Sequence, residues 1–260
     1  MPSDLAHLLM AFRYQFLLYL RTQRFLGLLG FVLTIIGALV LGTIYLGAEG
    51  ASAAADIGAD LGYFTAFAVV VCAFMGGDAI SMDLGGGTGY YVLSLPIRRT
   101  TLLLGRYVAA FVATMLLIGA YFIVAVAAAS WIHGVGDVPW SAVGASFGLA
   151  ALFSLGVLSV AFCFSSLFRN PAVSLIATVA VLFFGLGTAT GELPAAGIQP
   201  WFSVLYGGLT VETVIPTKAR TLFGPVTSPG LLEGVAIMVA YAIVFLIASL
   251  IVYQLQEWRA

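Results

Sequence analysis

Residues 83–107, DLGGGTGYYVLSLPIRRTTLLLGRY, place three consecutive glycines before a threonine and then a proline before two arginines. A glycine-rich run of this kind offers backbone amides that cradle phosphate. The Walker A form of that loop also needs a lysine followed by serine or threonine, because its ammonium reaches the outer phosphates. The sole lysine of the chain is Lys218, and Ala219 follows it. ATP hydrolysis by that mechanism is therefore not expected here. A second candidate is GASFG, Gly144–Gly148, which fits the G-x-S-x-G pattern of a serine nucleophile. Ser146 needs a base to take its proton, and no histidine follows it in the sequence; His133 precedes it. The same five residues form a GxxxG, which lets two helices approach closely, and packing is the expected role. Asp78 and Asp83 form a carboxylate pair with no histidine or further acid near them in sequence, so no metal site is expected there. Cys72 and Cys163 lie inside apolar runs and read as small core residues.

The elements that must hold these residues follow from solvent. The chain is 62% hydrophobic and 8% charged, with mean hydropathy +1.11. A water-soluble domain carries roughly 25% charged residues. There is too little polar surface here to cover the chain in water, so lipid is its solvent. The net charge of −1 provides no basic field for nucleic acid, and no nucleic-acid partner is expected. Crossing the hydrocarbon core takes roughly 20 apolar residues per helix. The segments 25–47, 61–77, 102–130, 142–166, 172–190 and 231–253 qualify. Backbone groups in lipid must be satisfied within the segment, so an all-α membrane protein with six transmembrane helices is expected.

With six spans both termini share a side. Arg13, Arg21, Arg24, Arg98, Arg99, Arg106, Arg169 and Arg259 fall on that side, against Lys218 and Arg220 on the other. The positive-inside rule then places both termini in the cytoplasm. No cleavable signal peptide is evident, because the stretch before residue 25 is too long and too aromatic for an n-region. In that stretch Leu5, Leu9, Phe12, Phe16 and Leu20 recur at helical spacing, with Ser3, His7, Tyr14 and Arg21 opposite. Residues 1–24 read as an amphipathic helix in the inner membrane interface, or else as an extension of the first span. Residues 25–260 make up the transmembrane domain. Its long outer segment, 191–230, carries Trp201, Phe202, Leu205 and Tyr206. A re-entrant or interfacial helix pair with Trp201 and Tyr206 at headgroup level is one reading, and a plain outer loop is the other.

Almost no ionisable group falls within the expected spans. An ion-coupled pump usually carries a buried acid or histidine there, at a cost of about 2.5–3.5 kcal/mol on insertion scales. Glu192 and Glu233 stand at the outer rim instead, Glu233 at the start of the last span where the helix dipole favours it. If the chain moves a solute, the energy enters from elsewhere. Smooth, uncharged spans suit an amphipathic or lipid-like cargo better than a bare ion.

The segment 78–106 is then the inner connection between the second and third spans. Gly85, Gly86 and Gly87 allow a tight backbone path. Pro96 restricts Leu95 to an extended conformation, so a new element begins about there. Asp83, Gly87-Thr88, Val92-Leu93, Pro96-Ile97-Arg98-Arg99 and Gly105-Arg106 together resemble the loop after the second span in the membrane-spanning subunit of ABC-2-type exporters. LRTQRF, residues 20–25, is similar to that family's inner interfacial helix. The resemblance departs at Asp83, where the family usually has glutamate in a charged run. It implies a permease without catalytic residues, bound metal or cofactor, working with a separate ATPase subunit and a second permease copy, identical or related. It implies that Asp83, Gly87, Thr88, Pro96, Ile97, Arg98 and Arg99 form a coupling element seated on the ATPase. Arg106 is expected to snorkel to the headgroups. The plasma membrane is the expected site, with membrane lipid as surroundings. The competing reading is a membrane scaffold or assembly factor without transport.

Overall fold

The computed structural model describes residues 4–45, 52–82, 98–215 and 229–255. Helices dominate, and no strand occurs among the described residues. In chain order they are α1 (Asp4–Arg21), α2 (Gln23–Tyr45), α3 (Ala53–Leu61), α4 (Phe64–Gly76), α5 (Arg99–His133), α6 (Trp140–Leu167), α7 (Pro171–Val179), α8 (Gly187–Glu192), α9 (Val204–Gly208), α10 (Thr210–Thr213) and α11 (Leu231–Leu255). A π-helical stretch, Ala180–Leu186, joins α7 to α8, so that Pro171–Glu192 runs as one long element.

Five of these elements are long and apolar enough to cross a membrane: α2, α5, α6, Pro171–Glu192 and α11. They coincide within a few residues with the first and the last four expected spans. The second span differs. It is a bent pair, α3 and α4, meeting at 45°, and it makes a sixth crossing if the pair is one span. The bend falls at Gly62 and Tyr63, where the Gly62 amide reaches back to Gly58 and Ala59 carbonyls and the Tyr63 amide to Asp60. Ser52 caps α3, its Oγ accepting from the Ala55 amide at 3.3 Å. Expecting this span to begin at 61 left Asp56 and Asp60 in an outer loop, whereas both lie buried on α3. Aromatic rings hold the bent pair against α5: Phe67 stacks on Tyr121 at 4.9 Å, and Phe64 meets Phe122 edge-on at 5.8 Å.

α6 sits at the centre, packed against α4, α5, α7, α9, α10 and α11. Its apolar residues run all round the helix, as a helix enclosed by protein or lipid requires. The hydroxyls of Ser154 and Ser159 are absorbed by carbonyls one turn earlier, Ala150 and Leu155. Among the described residues the glycines of GASFG serve no close helix packing within the chain, and a Cβ added at Gly144 or Gly148 would meet none of the neighbouring elements within 4 Å. Ser146 between them instead donates to the Val211 carbonyl at 2.6 Å.

The described part of 191–230 includes the end of α8, a 3-10 turn, Leu193–Ala196, and two short helices, α9 and α10, seated inside the bundle against α6 and α11. Residues 203–212 are buried. Trp201 is exposed, as a headgroup anchor requires, but Tyr206 is 1% exposed and belongs to the core. The reason is the close crossing of α9 and α11, where Gly207 and Gly234 each bring the other's carbonyl to 3.1 Å from their missing Cβ. That approach draws the whole of α9 inward.

Candidate functional site

The starts of α2 and α5 and the ends of α4 and α6 meet at one end of the bundle. There, residues 75–82 leave the second span and form the root of the glycine-rich segment. Four elements grip that root. From α1, the Tyr19 hydroxyl donates to the Met75 carbonyl at 2.7 Å. From α5, Arg106 Nη1 donates to the Ala79 carbonyl at 3.0 Å. From α6, Ser165 Oγ accepts from the Ile80 and Ser81 amides at 2.9 and 3.1 Å. From the start of α2, Arg24 forms an ion pair with Asp78. Backbone groups just past a helix end have no intrahelical partner. Here side chains from three other helices supply partners around the turn at 77–80, between the last residues of α4 and the helical Ser81 and Met82.

Arg106 therefore does not reach outward. It is buried, and its guanidinium closes the root from beneath. Desolvation explains the preference, since a buried carbonyl offers the charge a fixed acceptor. Asp78 is also buried, at 7% side-chain exposure, while Arg24 is 58% exposed. Burial pushes the Asp78 carboxyl above its ordinary range, and the neighbouring Arg24 offsets this only in part.

α1 lies across the start of α5. Its contact face is Leu8, Ala11, Phe12, Gln15 and Tyr19, at helical spacing. The crossing is made at Gly105, where an added Cβ would stand 2.7 Å from Ala11 Cβ, 3.0 Å from the Leu8 carbonyl oxygen and 3.2 Å from the Phe12 amide nitrogen. Leu5, Leu9 and Leu20 remain exposed, so much of the apolar stripe faces away from the protein. Phe12 and Phe16 stack at 5.6 Å between the two faces.

Asp83, Gly87, Thr88, Pro96 and Ile97 lie outside the described residues. Arg98 is the extended residue that precedes α5, and it pairs with Asp4 of α1 at 3.2 Å, both side chains exposed. Arg99 is the first residue of α5 and half-buried. Glu192 ends α8, exposed. Glu233, in the first turn of α11, accepts from the Gly230 amide at 3.2 Å, a carboxylate closing the helix start. Sequence reasoning found Arg98, Arg99, Gly105 and Arg106 but missed Arg24, Tyr19 and Ser165 as partners of the root. The available signal was that Arg24 and Asp78, opposite in sign, both flank apolar spans at the same end.

A second polar group lies at the opposite end. His133 Nε2 is 2.7 Å from Asp56 Oδ2, and the Tyr121 hydroxyl donates to the Asp60 carbonyl. Glu212 on α10 is 1% exposed, and its Oε1 has no hydrogen-bond partner among the described residues.

The chemistry of the first site is mechanical. It holds two exposed or half-exposed arginines beside a gripped peptide segment. A search of curated proteins finds no match to the chain. Residues 6–211 match the family model described as ABC-2 type transporter. That range takes in α1, the gripped root, the glycine-rich segment and α9. This helical, multi-pass membrane protein belongs to the ABC-2 type transporter family and is a permease component of an ABC-type transporter, not itself catalytic.

Proposed function

We propose that the chain is the permease of an exporter in the plasma membrane, with both termini in the cytoplasm, and that a separate ATPase subunit docks on segment 78–106 and drives it. Two permease copies, identical or related, form the translocation path between them. The observation that carries this reading is the four-sided grip on residues 75–82. A force applied to the glycine-rich segment reaches α1, α2, α5 and α6 through bonds of 2.7–3.1 Å and one ion pair. An ordinary connecting loop has no need of such a root.

Two further features support it. The excess of arginine at this end agrees with a cytoplasmic face. The exposed leucines of α1 suit a helix lying in the inner membrane interface, with Ala11, Gln15 and Tyr19 turned to the protein. α9 and α10 fit a re-entrant segment, because backbone that dips into a membrane must be covered by protein. In this arrangement Arg98 and Arg99 meet acidic or carbonyl acceptors on the ATPase, and Pro96 sets where the element begins.

The test is Arg98→Glu with Arg99→Glu, expressed in native membranes and purified. Loss of the co-purifying ATPase, or of its stimulated hydrolysis, is the expected result. Unchanged assembly together with unchanged stimulation removes both arginines from the docking role.

A further inference from the structure

We propose that the Arg24–Asp78 ion pair is a latch tying the first span to the root of the loop, with Asp78 a positioning residue for energy transfer. The inference rests on the functional reading above and deepens it, because it names the contact through which a docked ATPase reaches the first span.

The argument begins with what the other bonds at the root do. The bonds of 2.7–3.1 Å from Tyr19, Arg106 and Ser165 end on main-chain atoms of residues 75–81. They make α1, α5, α6 and the root one body. The Arg24–Asp78 contact joins two charged side chains instead, and it is the root bond made by α2.

α2 is also built to move against that body. It is separated from α1 by a single non-helical residue, Thr22. There the Thr22 amide still bonds the Leu18 carbonyl at 3.0 Å, the Thr22 hydroxyl bonds the Tyr19 carbonyl at 2.9 Å, and the Phe25 amide bonds Thr22 at 3.2 Å. The chain stays hydrogen-bonded through the break, so a shift of α2 is felt at Thr22. Along its length α2 buries only Phe25, Leu28, Val32 and Ile36, a single stripe at helical spacing. A helix held by one stripe can rock about it, and Arg24 fixes its end at the loop root.

The two partners differ in how they are held. The Arg24 side chain is 58% exposed. The Asp78 side chain is 7% exposed and stays where the root holds it. Asp78 therefore moves with the loop and draws Arg24 with it, since parting would leave a buried carboxylate without its counter-charge. Met82, whose Sδ lies 3.8 Å from Arg24 Nη1, offers the guanidinium a soft neighbour one turn further along.

The experiment uses the complex recovered from native membranes, reconstituted in lipid vesicles and supplied with ATP. Arg24→Gln, Asp78→Asn and the exchange Arg24→Asp with Asp78→Arg are compared with wild type. The readouts are the amount of co-purifying ATPase and the stimulation of its hydrolysis by the permease. The expected result is unchanged assembly for Arg24→Gln, stimulation per bound ATPase lowered about five- to tenfold in each single variant, and recovery in the exchange variant. Arg24→Gln carries the test if Asp78→Asn does not fold, since Arg24 is the exposed partner. Wild-type stimulation in Arg24→Gln overturns the latch and leaves the functional reading intact. Failure of the exchange to restore what both single variants lose also overturns it, since the contact would then act by shape and not by charge. A wild-type chain that brings down no ATPase overturns the functional reading and the latch with it.

Discussion

Gly105→Ala tests how closely α1 must lie on α5. The added Cβ would stand 2.7 Å from Ala11 Cβ, about 1 Å inside the ordinary separation of two carbons. No side-chain rotation relieves this, because the other two neighbours, the Leu8 carbonyl oxygen at 3.0 Å and the Phe12 amide nitrogen at 3.2 Å, are main chain of α1. Either α1 withdraws or the overlap is borne as strain, at about 1–3 kcal/mol. Withdrawal also lengthens the 2.7 Å bond from Tyr19 to the Met75 carbonyl, and an unsatisfied buried pair costs about 1–3 kcal/mol. The expected loss for the single substitution is therefore about 2–3 kcal/mol by reversible denaturation in lipid–detergent micelles. Ala11→Gly alone should cost about 1 kcal/mol as a helix-interior glycine. Combined, the two should cost less than their sum by about 1 kcal/mol, because the closest overlap is gone while the Leu8 contact remains. Strict additivity, or a neutral Gly105→Ala, refutes a close crossing at this position.

Two other outcomes follow from the opposite end of the bundle. Glu212 is 1% exposed, and its Oε1 has no hydrogen-bond partner among the described residues. Glu212→Gln removes a buried acid at little change of shape and should leave denaturation stability equal or raise it by about 1–3 kcal/mol, and a loss of that size would contradict an unsatisfied carboxyl. Ser146→Ala removes the 2.6 Å bond to the Val211 carbonyl. It should destabilise α9 and α10 locally by about 1 kcal/mol, seen as faster amide hydrogen exchange confined to 204–213, and unaltered exchange there would show that the bond does not hold the pair in place.

What the sequence conveys and what it hides divide along physical lines. Long apolar runs dictate their own fate in lipid, so α2, α5, α6, Pro171–Glu192 and α11 are legible from composition and length alone. α3 is not, because nine residues with Asp56 and Asp60 among them look like loop until their partners are known. Those partners, His133 and Tyr121, stand 77 and 61 positions away. The same holds at the loop root, where the glycine–arginine pair at 105–106 is visible as a pattern but its use is not. Gly105 is needed for α1, and Arg106 for the Ala79 carbonyl. Arg106 was expected to point at headgroups, since a sequence shows a charge at a span end and not the unsatisfied carbonyl beneath it.

That hidden layer bears on how such a chain can transmit force. Apolar spans in lipid gain little from meeting one another, because lipid tails are as apolar as the side chains they replace. Helices sliding in that medium would pass on a push poorly. Polar bonds at the span ends resist displacement more sharply, since each broken one leaves a buried donor or acceptor unsatisfied. In this protein several such bonds converge on residues 75–82, and a further one ties α5 to α6 where the Tyr107 hydroxyl meets the Leu155 carbonyl and Ser159. Stiff coupling is therefore present at the end where the glycine-rich segment attaches, and α2 enters it through the contact between Arg24 and Asp78.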